Sequence, residues 1–158
     1  MGETVNVAVM DGHSVVSIDQ VIGSATMTTV NWVGQRTPLH ATSAGKVFLA
    51  HASPAELAAV LAEGLERFTA QTITDPEALS RQLDEVRLAG YAYSIEEHEV
   101  GLAAVAAPIR DLDGDIIAAI TVSGPNFRVN EATIPRIARH VLSAAADISQ
   151  RAGHPKSG

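Results

Sequence analysis

The sequence predicts an α+β domain with an antiparallel sheet. Two turn signals, Asp11-Gly12 near the start and Asp113-Gly114 near the end, each separate a pair of apolar segments, a pattern typical of β-hairpins. Strands and helices come in separate blocks, in the order β-β-β-α-α-α-β-β-β-α, which favours the α+β class. Because the chain shows neither a dinucleotide-binding fingerprint nor βαβ alternation, the pattern argues against a Rossmann domain.

Three strands are predicted before the first helix. Residues 4–10 alternate valine with other residues, as a half-buried strand does, and residues 13–19 return as a second strand. Residues 26–33 are rich in β-branched side chains and form the third predicted strand, with Thr29 facing inward and Trp32 in the core or an interface. Because the chain starts almost directly in a strand, we expect it to be a piece of a longer protein.

The stretch from residue 36 to residue 50 is predicted to be a loop that enters a helix, with Thr42 and Ser43 as good N-cap residues. Two interpretations of this helix start stay open. Free N–H groups at a helix start attract anions, and the small residues Ser43, Ala44 and Gly45 let a ligand approach the backbone, so the stretch could form the floor of a pocket for a small acid. It can also be only the structural start of a packed helix.

Capping signals place two further helices. Ser53-Pro54-Ala55-Glu56 is a capping box with proline at the first helical position, and the helix it starts runs to Gly64. Asp75-Pro76 starts another helix, which ends at Gly90 because glycine is a common C-terminal stop.

The second half of the chain returns to strands. Apolar segments at residues 91–95, 101–109 and 116–123 predict three strands, and a helix begins near Asn130. The apolar stripe of that helix consists of Ile134, Ile137, Ala138, Val141, Leu142, Ala145 and Ile148.

Composition limits the function classes. The chain has 158 residues, 46% of them apolar and only 4% aromatic, which suits one globular domain with an aliphatic core. The net charge of −7 argues against nucleic-acid binding by this segment itself, since phosphate contacts require a basic surface. The sequence contains no cysteine, membrane-spanning run or signal peptide, so we expect a cytoplasmic protein without a membrane partner.

Two hydroxyl residues, Thr121 and Ser123, lie two positions apart on a predicted strand and therefore share one face of the sheet. On the preceding strand Leu102 and Ala104 also share a face. If both faces look toward the helix start at Ser43, they enclose a cavity with small apolar walls and hydroxyl contacts, which suits a small ligand. The alternative, in which Thr121 and Ser123 face solvent, is equally compatible with the pattern.

The sequence gives little support for metal binding or catalysis. The turn Glu96-Glu97-His98-Glu99 could hold a divalent cation, but a solvated acidic turn is the simpler interpretation. There is no cysteine nucleophile and no Gly-x-Ser-x-Gly elbow, and Gly45-Lys46 lacks the phosphate-binding P-loop pattern. We therefore expect no metal, no cofactor and no enzymatic activity.

Five short motifs follow one another along nearly the whole chain. They are Pro38-Leu-His-Ala-Thr-Ser-Ala-Gly-Lys46, Gly90-Tyr91, Glu96-Glu97-His98 followed by Gly101, Ala107-Pro108-Ile109, and Ile120-Thr-Val-Ser-Gly-Pro125. Each motif is weak alone, but together, at this spacing, they resemble the C-terminal effector-binding domain of IclR-type transcriptional regulators.

The resemblance implies a GAF/PAS-like fold, in which a curved antiparallel sheet of about six strands packs against flanking helices. We expect one effector-binding domain at residues 1–151 and a polar tail at residues 152–158. The resemblance also implies a winged helix-turn-helix DNA-binding domain upstream, absent from this chain, through which alone the protein would contact DNA. It further implies homodimers or homotetramers.

The resemblance also implies a pocket for a small-molecule effector, commonly a carboxylic acid or an aromatic compound. Ser94 stands where some members have a pocket carboxylate, and Ile95 stands where the family often has Asp, so we expect a pocket with a shorter polar reach. Gly45 joins the predicted site through its main-chain N–H at the helix start. The family's pocket positions map onto Thr29, Thr37, Ser43, Ala44, Ser94, Leu102, Ala104, Thr121 and Ser123.

We therefore expect the ligand-sensing and oligomerisation domain of a transcriptional regulator. It would bind a small metabolite, a carboxylate or aromatic acid, and alter DNA binding by the missing domain. The alternative is a GAF-like dimerisation module that binds no ligand and fills the space between Ser43 and Thr121 with side chains. Glu97 and His98 are expected to have a structural role in their turn.

Overall fold

The computed structural model describes residues 4–21 and 33–153 of the chain. None of the helices in these residues is long and apolar enough to cross a membrane. The elements are β1 (Thr4–Asp11), β2 (Ser14–Val21), β3 (Arg36–Pro38), α1 (Ser43–Ala50), α2 (Pro54–Ala62), α3 (Pro76–Ala89), β4 (Ala92–Ile95), β5 (Leu102–Arg110), β6 (Ile116–Pro125) and α4 (Ile134–Arg151).

The six strands form one antiparallel sheet in the order β3-β2-β1-β6-β5-β4. The two predicted hairpins are joined at its centre, where β1 pairs with β6 and Asn6 lies opposite Thr121. The sheet curls into a half-barrel, so the predicted α+β class and the curved sheet of six strands are confirmed.

The described sheet contains a short strand that the sequence did not predict. β3 is the short segment Arg36–Pro38, which the sequence assigned to a loop, and it pairs with β2 so that Thr37 lies opposite Val15. Pro38 lies on β3, an edge strand of the described sheet, and edge strands are where proline is tolerated. Most of the predicted strand at residues 26–33, with Thr29 and Trp32, lies outside the described residues; Val33 makes an isolated parallel bridge to Ser17.

Helices cover both faces of the sheet. α1 contacts β1, β2, β4, β5 and β6 on one face and packs against α3, whereas α4 covers β5 and β6 on the other face. Each face has its own buried apolar cluster, the first including Val47 and Leu83 and the second including Val105 and Val141. The first face contains the cavity described below.

The burial of β1 is opposite to what the alternating valines suggest. Thr4, Asn6 and Ala8 are buried, whereas Val5, Val7 and Val9 are only partly buried. The reason is tertiary, because α1 lies over the face that carries Asn6 and Ala8. The polar and small residues of β1 therefore lie inside the molecule.

A buried ion pair ties α1 to the turn after β4. The Nζ of Lys46 lies 2.6 Å from Oε1 of Glu97 and donates a hydrogen bond of 3.0 Å to the carbonyl oxygen of Tyr93. The Lys46 side chain is completely buried and that of Glu97 is 7% exposed. Burial lowers the pKa of Lys46, and the negative charge of Glu97 opposes this shift.

We expect Lys46→Met to lower the free energy of unfolding by roughly 3–5 kcal/mol, because the substitution leaves the Glu97 carboxylate buried without a counter-charge. Lys46→Met combined with Glu97→Leu removes both charges and should recover most of that loss. Urea denaturation of the 158-residue chain measures both effects.

The matched control is Arg151→Ala, which breaks the exposed pair between Arg151 and Asp147 on α4. Exposed pairs contribute about 0–1 kcal/mol, so this variant should unfold almost like the parent chain. A loss for Lys46→Met no larger than that of Arg151→Ala would contradict the stabilising role of the buried pair.

Candidate functional site

A cavity lies between the start of α1 and the sheet, and it is closed on one side by the turn after β4. Its volume, about 90 Å³, is small beside the roughly 300–1,000 Å³ of pockets for drug-sized molecules. An apolar cavity of about 150 Å³ holds benzene, and this cavity is smaller than that. The lining residues are Asn6, Ala8, Val15, Ser17, Thr37, Ala41, Thr42, Ser43, Ala44, Ser94, His98, Glu99, Leu102, Ala103, Ala104, Thr121 and Ser123.

The α1 start supplies one wall of the cavity. Thr42 is the N-cap residue; its hydroxyl accepts the N–H of Gly45 at 3.1 Å and donates to the carbonyl of Pro38 at 2.6 Å. Within the described residues the N–H groups of Ser43 and Ala44 have no partner, as expected at a helix start. Two main-chain donors are therefore available beside the cavity.

Gly45 has a structural role that the sequence did not predict. Its N–H is bound by the Thr42 cap, and it does not line the cavity. A Cβ at this position would overlap the main chain of Leu39, so glycine lets the helix pack closely against the preceding loop. Unlike the amides of Ser43 and Ala44, the Gly45 amide is therefore already paired, and its predicted contact with a ligand stays a prediction.

Strand register brings the hydroxyl residues of the sheet together. Ala104 of β5 lies opposite Ser94 of β4 and Ser123 of β6, and Thr121 lies opposite Asn6 of β1. Thr121 and Ser123 are 8% and 9% exposed and line the cavity, so the alternative in which they face solvent is wrong. Short alanine side chains between them leave the space open.

The hydroxyl groups fall into two sets. Thr121 donates to the carbonyl oxygen of Asn6 at 3.2 Å, and Ser94 donates to the carbonyl oxygen of Ala41 at 3.2 Å, so each can only accept from a ligand. The hydroxyls of Thr37, Ser43 and Ser123 make no hydrogen bond within residues 4–21 and 33–153. This second set can donate to an anion.

His98 contributes the ionisable ring of the cavity wall. It is half-buried, and its ring meets the ring of Phe68 edge-on with 5.1 Å between the ring centres; the Phe68 ring also lies 5.8 Å from that of His40. Burial lowers the pKa of His98; the carboxylate of Glu99 opposes this shift and His40 adds to it. His98 therefore faces the cavity as a mostly neutral donor or acceptor at neutral pH.

The cavity wall contains no lysine or arginine among the described residues. The buried cation of α1, Lys46, is paired with Glu97 and does not line the cavity. An acid in this space would be bound by hydroxyls, by the two amides of α1 and by His98, rather than by a formal ion pair.

The structure brings together most of the predicted site. Gly45 lies outside the cavity, and Thr29 lies outside the described residues. The predicted residues that line the cavity are Thr37, Ser43, Ala44, Ser94, Leu102, Ala104, Thr121 and Ser123.

Sequence reasoning missed the contribution of β1 and β2, namely Asn6, Ala8, Val15 and Ser17. The available signal was a polar residue and a small residue between the valines of β1, which the period-two pattern assigned to the exposed face. His98 was also missed, because it was expected to be a structural residue of the turn.

The acidic turn is not the solvated one that was expected. Glu97 is buried against Lys46, and only Glu99 in that cluster is exposed.

Elsewhere the carboxylates of Asp111, Asp113 and Asp115 converge on the β5–β6 hairpin, where Asp111 accepts the main-chain N–H groups of the other two. These hydrogen bonds account for that cluster as part of the turn.

Comparison with known proteins identifies the family. The description "Bacterial transcriptional regulator IclR C-terminal" matches residues 1–150. The chain is 41% identical over 149 residues to the HTH-type transcriptional regulator BhcR of Paracoccus denitrificans, covering 94% of this chain and 53% of that protein. It is 38% identical over 158 residues to the HTH-type transcriptional repressor AllR of Escherichia coli K12, covering 98% and 58%.

Solved structures of two bacterial regulator domains have the same fold as this chain. The C-terminal domain of the Escherichia coli regulator KdgR has a TM-score of 0.85 at 34% identity, covering 98% of this chain and 90% of that one. The inducer-binding domain of a double mutant of PobR from Acinetobacter, in complex with 3-hydroxybenzoic acid, has a TM-score of 0.82 at 31% identity, covering 92% and 86%.

These relatives are named as transcriptional regulators, not as enzymes, and the chain spans only a little more than half the length of BhcR and AllR. Three findings point to the same family: the match of the family description over residues 1–150, the sequence identities and the fold shared with the solved structures. The chain therefore belongs to the IclR family of bacterial transcriptional regulators, as its C-terminal, effector-binding domain.

Proposed function

We propose that this domain senses a short aliphatic carboxylic acid in the cavity at the start of α1. The supporting observation is a group of donors around a space of about 90 Å³ that have no partner in the described part of the chain: the hydroxyls of Thr37, Ser43 and Ser123 and the amides of Ser43 and Ala44. These donors lie at the cavity surface, and an acid would accept hydrogen bonds from several of them at once. The PobR domain in complex with 3-hydroxybenzoic acid shows that a domain of this fold can hold an acid.

Size favours an aliphatic acid over an aromatic one. The cavity is smaller than the roughly 150 Å³ that holds benzene, and no phenylalanine, tyrosine or tryptophan is among its described lining residues. The effector of PobR therefore does not transfer to this chain. The ligand-free dimerisation module, which would fill the space between Ser43 and Thr121 with side chains, does not fit an open cavity there.

The proposed signal passes to a DNA-binding domain upstream of this chain, in a cytoplasmic homodimer or homotetramer. The acid would contact α1, β6 and the turn at His98 together. It can shift DNA binding only if two arrangements of the oligomer bind it with different affinity. DNA contact would then come from the upstream domain, in line with the charge of −7 on this one.

A thermal-shift panel tests the proposal on the 158-residue chain. We expect lactate, propionate or pyruvate to raise the melting temperature in a concentration-dependent way, since a ligand that binds only the folded state stabilises it. 3-Hydroxybenzoate should have a smaller effect because of its size. Sodium chloride at matched ionic strength is the control, and a panel in which no short acid exceeds it would refute the proposal.

Two serine substitutions test which donors hold the acid. Ser43→Ala and Ser123→Ala should each weaken binding of the best acid roughly tenfold or more, since a hydrogen bond to a charged group contributes roughly 1.5–3 kcal/mol. Isothermal titration calorimetry measures the change. Ser80→Ala, on the exposed side of α3, is the matched control and should leave the affinity unchanged. Equal affinities in all three variants would place the acid elsewhere.

Binding should also depend on pH through His98. Its pKa lies below the ordinary value in the free protein, and a bound carboxylate would raise it by favouring the imidazolium. Binding then takes up a proton between the two pKa values, so affinity rises as pH falls through that range. We expect calorimetry to give tighter acid binding at about pH 6 than at about pH 8.

His98→Gln should remove most of this pH dependence. His51→Gln is the matched control, because burial, followed by Arg110 and Arg87, also lowers the pKa of His51, although this residue does not line the cavity. If the pH dependence survives His98→Gln and disappears in His51→Gln, it comes from His51, and the role proposed for His98 is contradicted.

A further inference from the structure

Among the described residues of the cavity wall, Asn6 alone has a fully buried polar side-chain atom without a hydrogen-bond partner. The residue is 6% exposed and lies on β1 opposite Thr121. The Oδ1 of Asn6 is buried and has no hydrogen-bond partner, and its Nδ2 makes no hydrogen bond within the described residues. Native proteins rarely leave such a group unpaired, so a partner is expected in the bound state.

Among residues 4–21 and 33–153, no protein group donates to this oxygen. The Thr121 hydroxyl donates to the main-chain carbonyl of Asn6 itself, and the Ser94 hydroxyl donates to the carbonyl of Ala41. Ala8 and Val15, which line the cavity from the same pair of strands, are apolar. Since no described group donates to Asn6 Oδ1, an occupant of the cavity that Asn6 lines is the source of a donor that we consider.

A carboxylate alone cannot be that partner, because an ionised carboxylate only accepts hydrogen bonds. The occupant needs a donor in addition to its acid group. Thr121 lies opposite Asn6, and Ser123 lies two residues further along β6, a distance of roughly 7 Å. A short acid with a neighbouring hydroxyl is of the right length to contact both Asn6 and Ser123.

We infer that Asn6 is a specificity-determining residue and that the effector is a short hydroxy acid whose hydroxyl donates to Asn6 Oδ1. The carboxylate of the same molecule accepts from Ser123, Ser43 and the start of α1. This inference rests on the function proposed above and makes it more specific, because it separates hydroxy acids from acids of the same length that lack the hydroxyl.

Matched pairs of acids test the inference by calorimetry on the 158-residue chain. The pairs are lactate with propionate and 3-hydroxybutyrate with butyrate, each differing only in the hydroxyl. We expect the hydroxy acid of at least one pair to bind at least about tenfold more tightly, because its analogue leaves the buried Asn6 oxygen unpaired. Alanine, with an ammonium group in place of the hydroxyl of lactate, should bind more weakly than lactate.

Asn6→Leu removes the acceptor and keeps the approximate size of the side chain. It should reduce the preference for the hydroxy acid to less than about twofold, while the melting temperature without ligand stays equal or rises because an unsatisfied polar group is gone. Gln82→Leu is the matched control. It removes another buried amide oxygen without a partner, on α3 and outside the cavity wall, so the preference should remain.

A second measurement does not depend on the folding of any variant. In ¹⁵N-labelled parent chain, the side-chain NH₂ resonances of Asn6 should shift with lactate and much less with propionate. Equal binding of both members of every pair, tighter binding of alanine than of lactate, or a preference that survives Asn6→Leu would each overturn the inference and leave the acid-binding function standing. If none of these acids binds, the proposed function fails as well.

Discussion

The arrangement of the cavity depends on one buried ion pair. Lys46 lies on α1 one turn beyond Ser43, and Glu97 lies directly before His98, so their 2.6 Å contact joins the two walls of the cavity from behind. Burying two charges is unfavourable unless each remains paired, and separating them inside the protein would cost several kcal/mol. The distance between α1 and the turn after β4 is therefore fixed before any ligand arrives, and the small hydroxyl residues in front of the pair face a space of defined width.

The hydroxyl groups of the cavity wall differ in the acceptors to which they donate hydrogen bonds. Thr121 and Ser94 use their protons on main-chain carbonyls and so stiffen the wall, whereas Ser43 and Ser123 keep theirs available to the cavity. An acid with a hydroxyl matches this division, because it accepts from the second set and donates to Asn6. Specificity would then arise from a few placed neutral groups rather than from charge, which suits discrimination between small metabolites that all carry one carboxylate.

The fold was largely predictable because its signals are local. The two Asp-Gly turns, the proline-led helix caps and the Gly90 stop each act within a few residues, and the structure has each of them where the sequence indicates. The strand at Arg36–Pro38 was not predictable, because it is three residues long and exists only through its pairing with β2. The predicted site residues of α1, β5 and β6 line the cavity, apart from Gly45, whose role depends on a close contact with Leu39 that no pattern in its own helix reveals.

The sequence by itself determined the fold class, the order of elements and the presence of hydroxyls on one face of β6, since these follow from turn chemistry, capping and the period of two. Only the tertiary structure decided which face of β1 is buried, and thereby made Asn6 part of the cavity. An alternating strand defines two faces but not which of them a helix will cover, and that choice was made by the packing of α1 across strands from both ends of the chain.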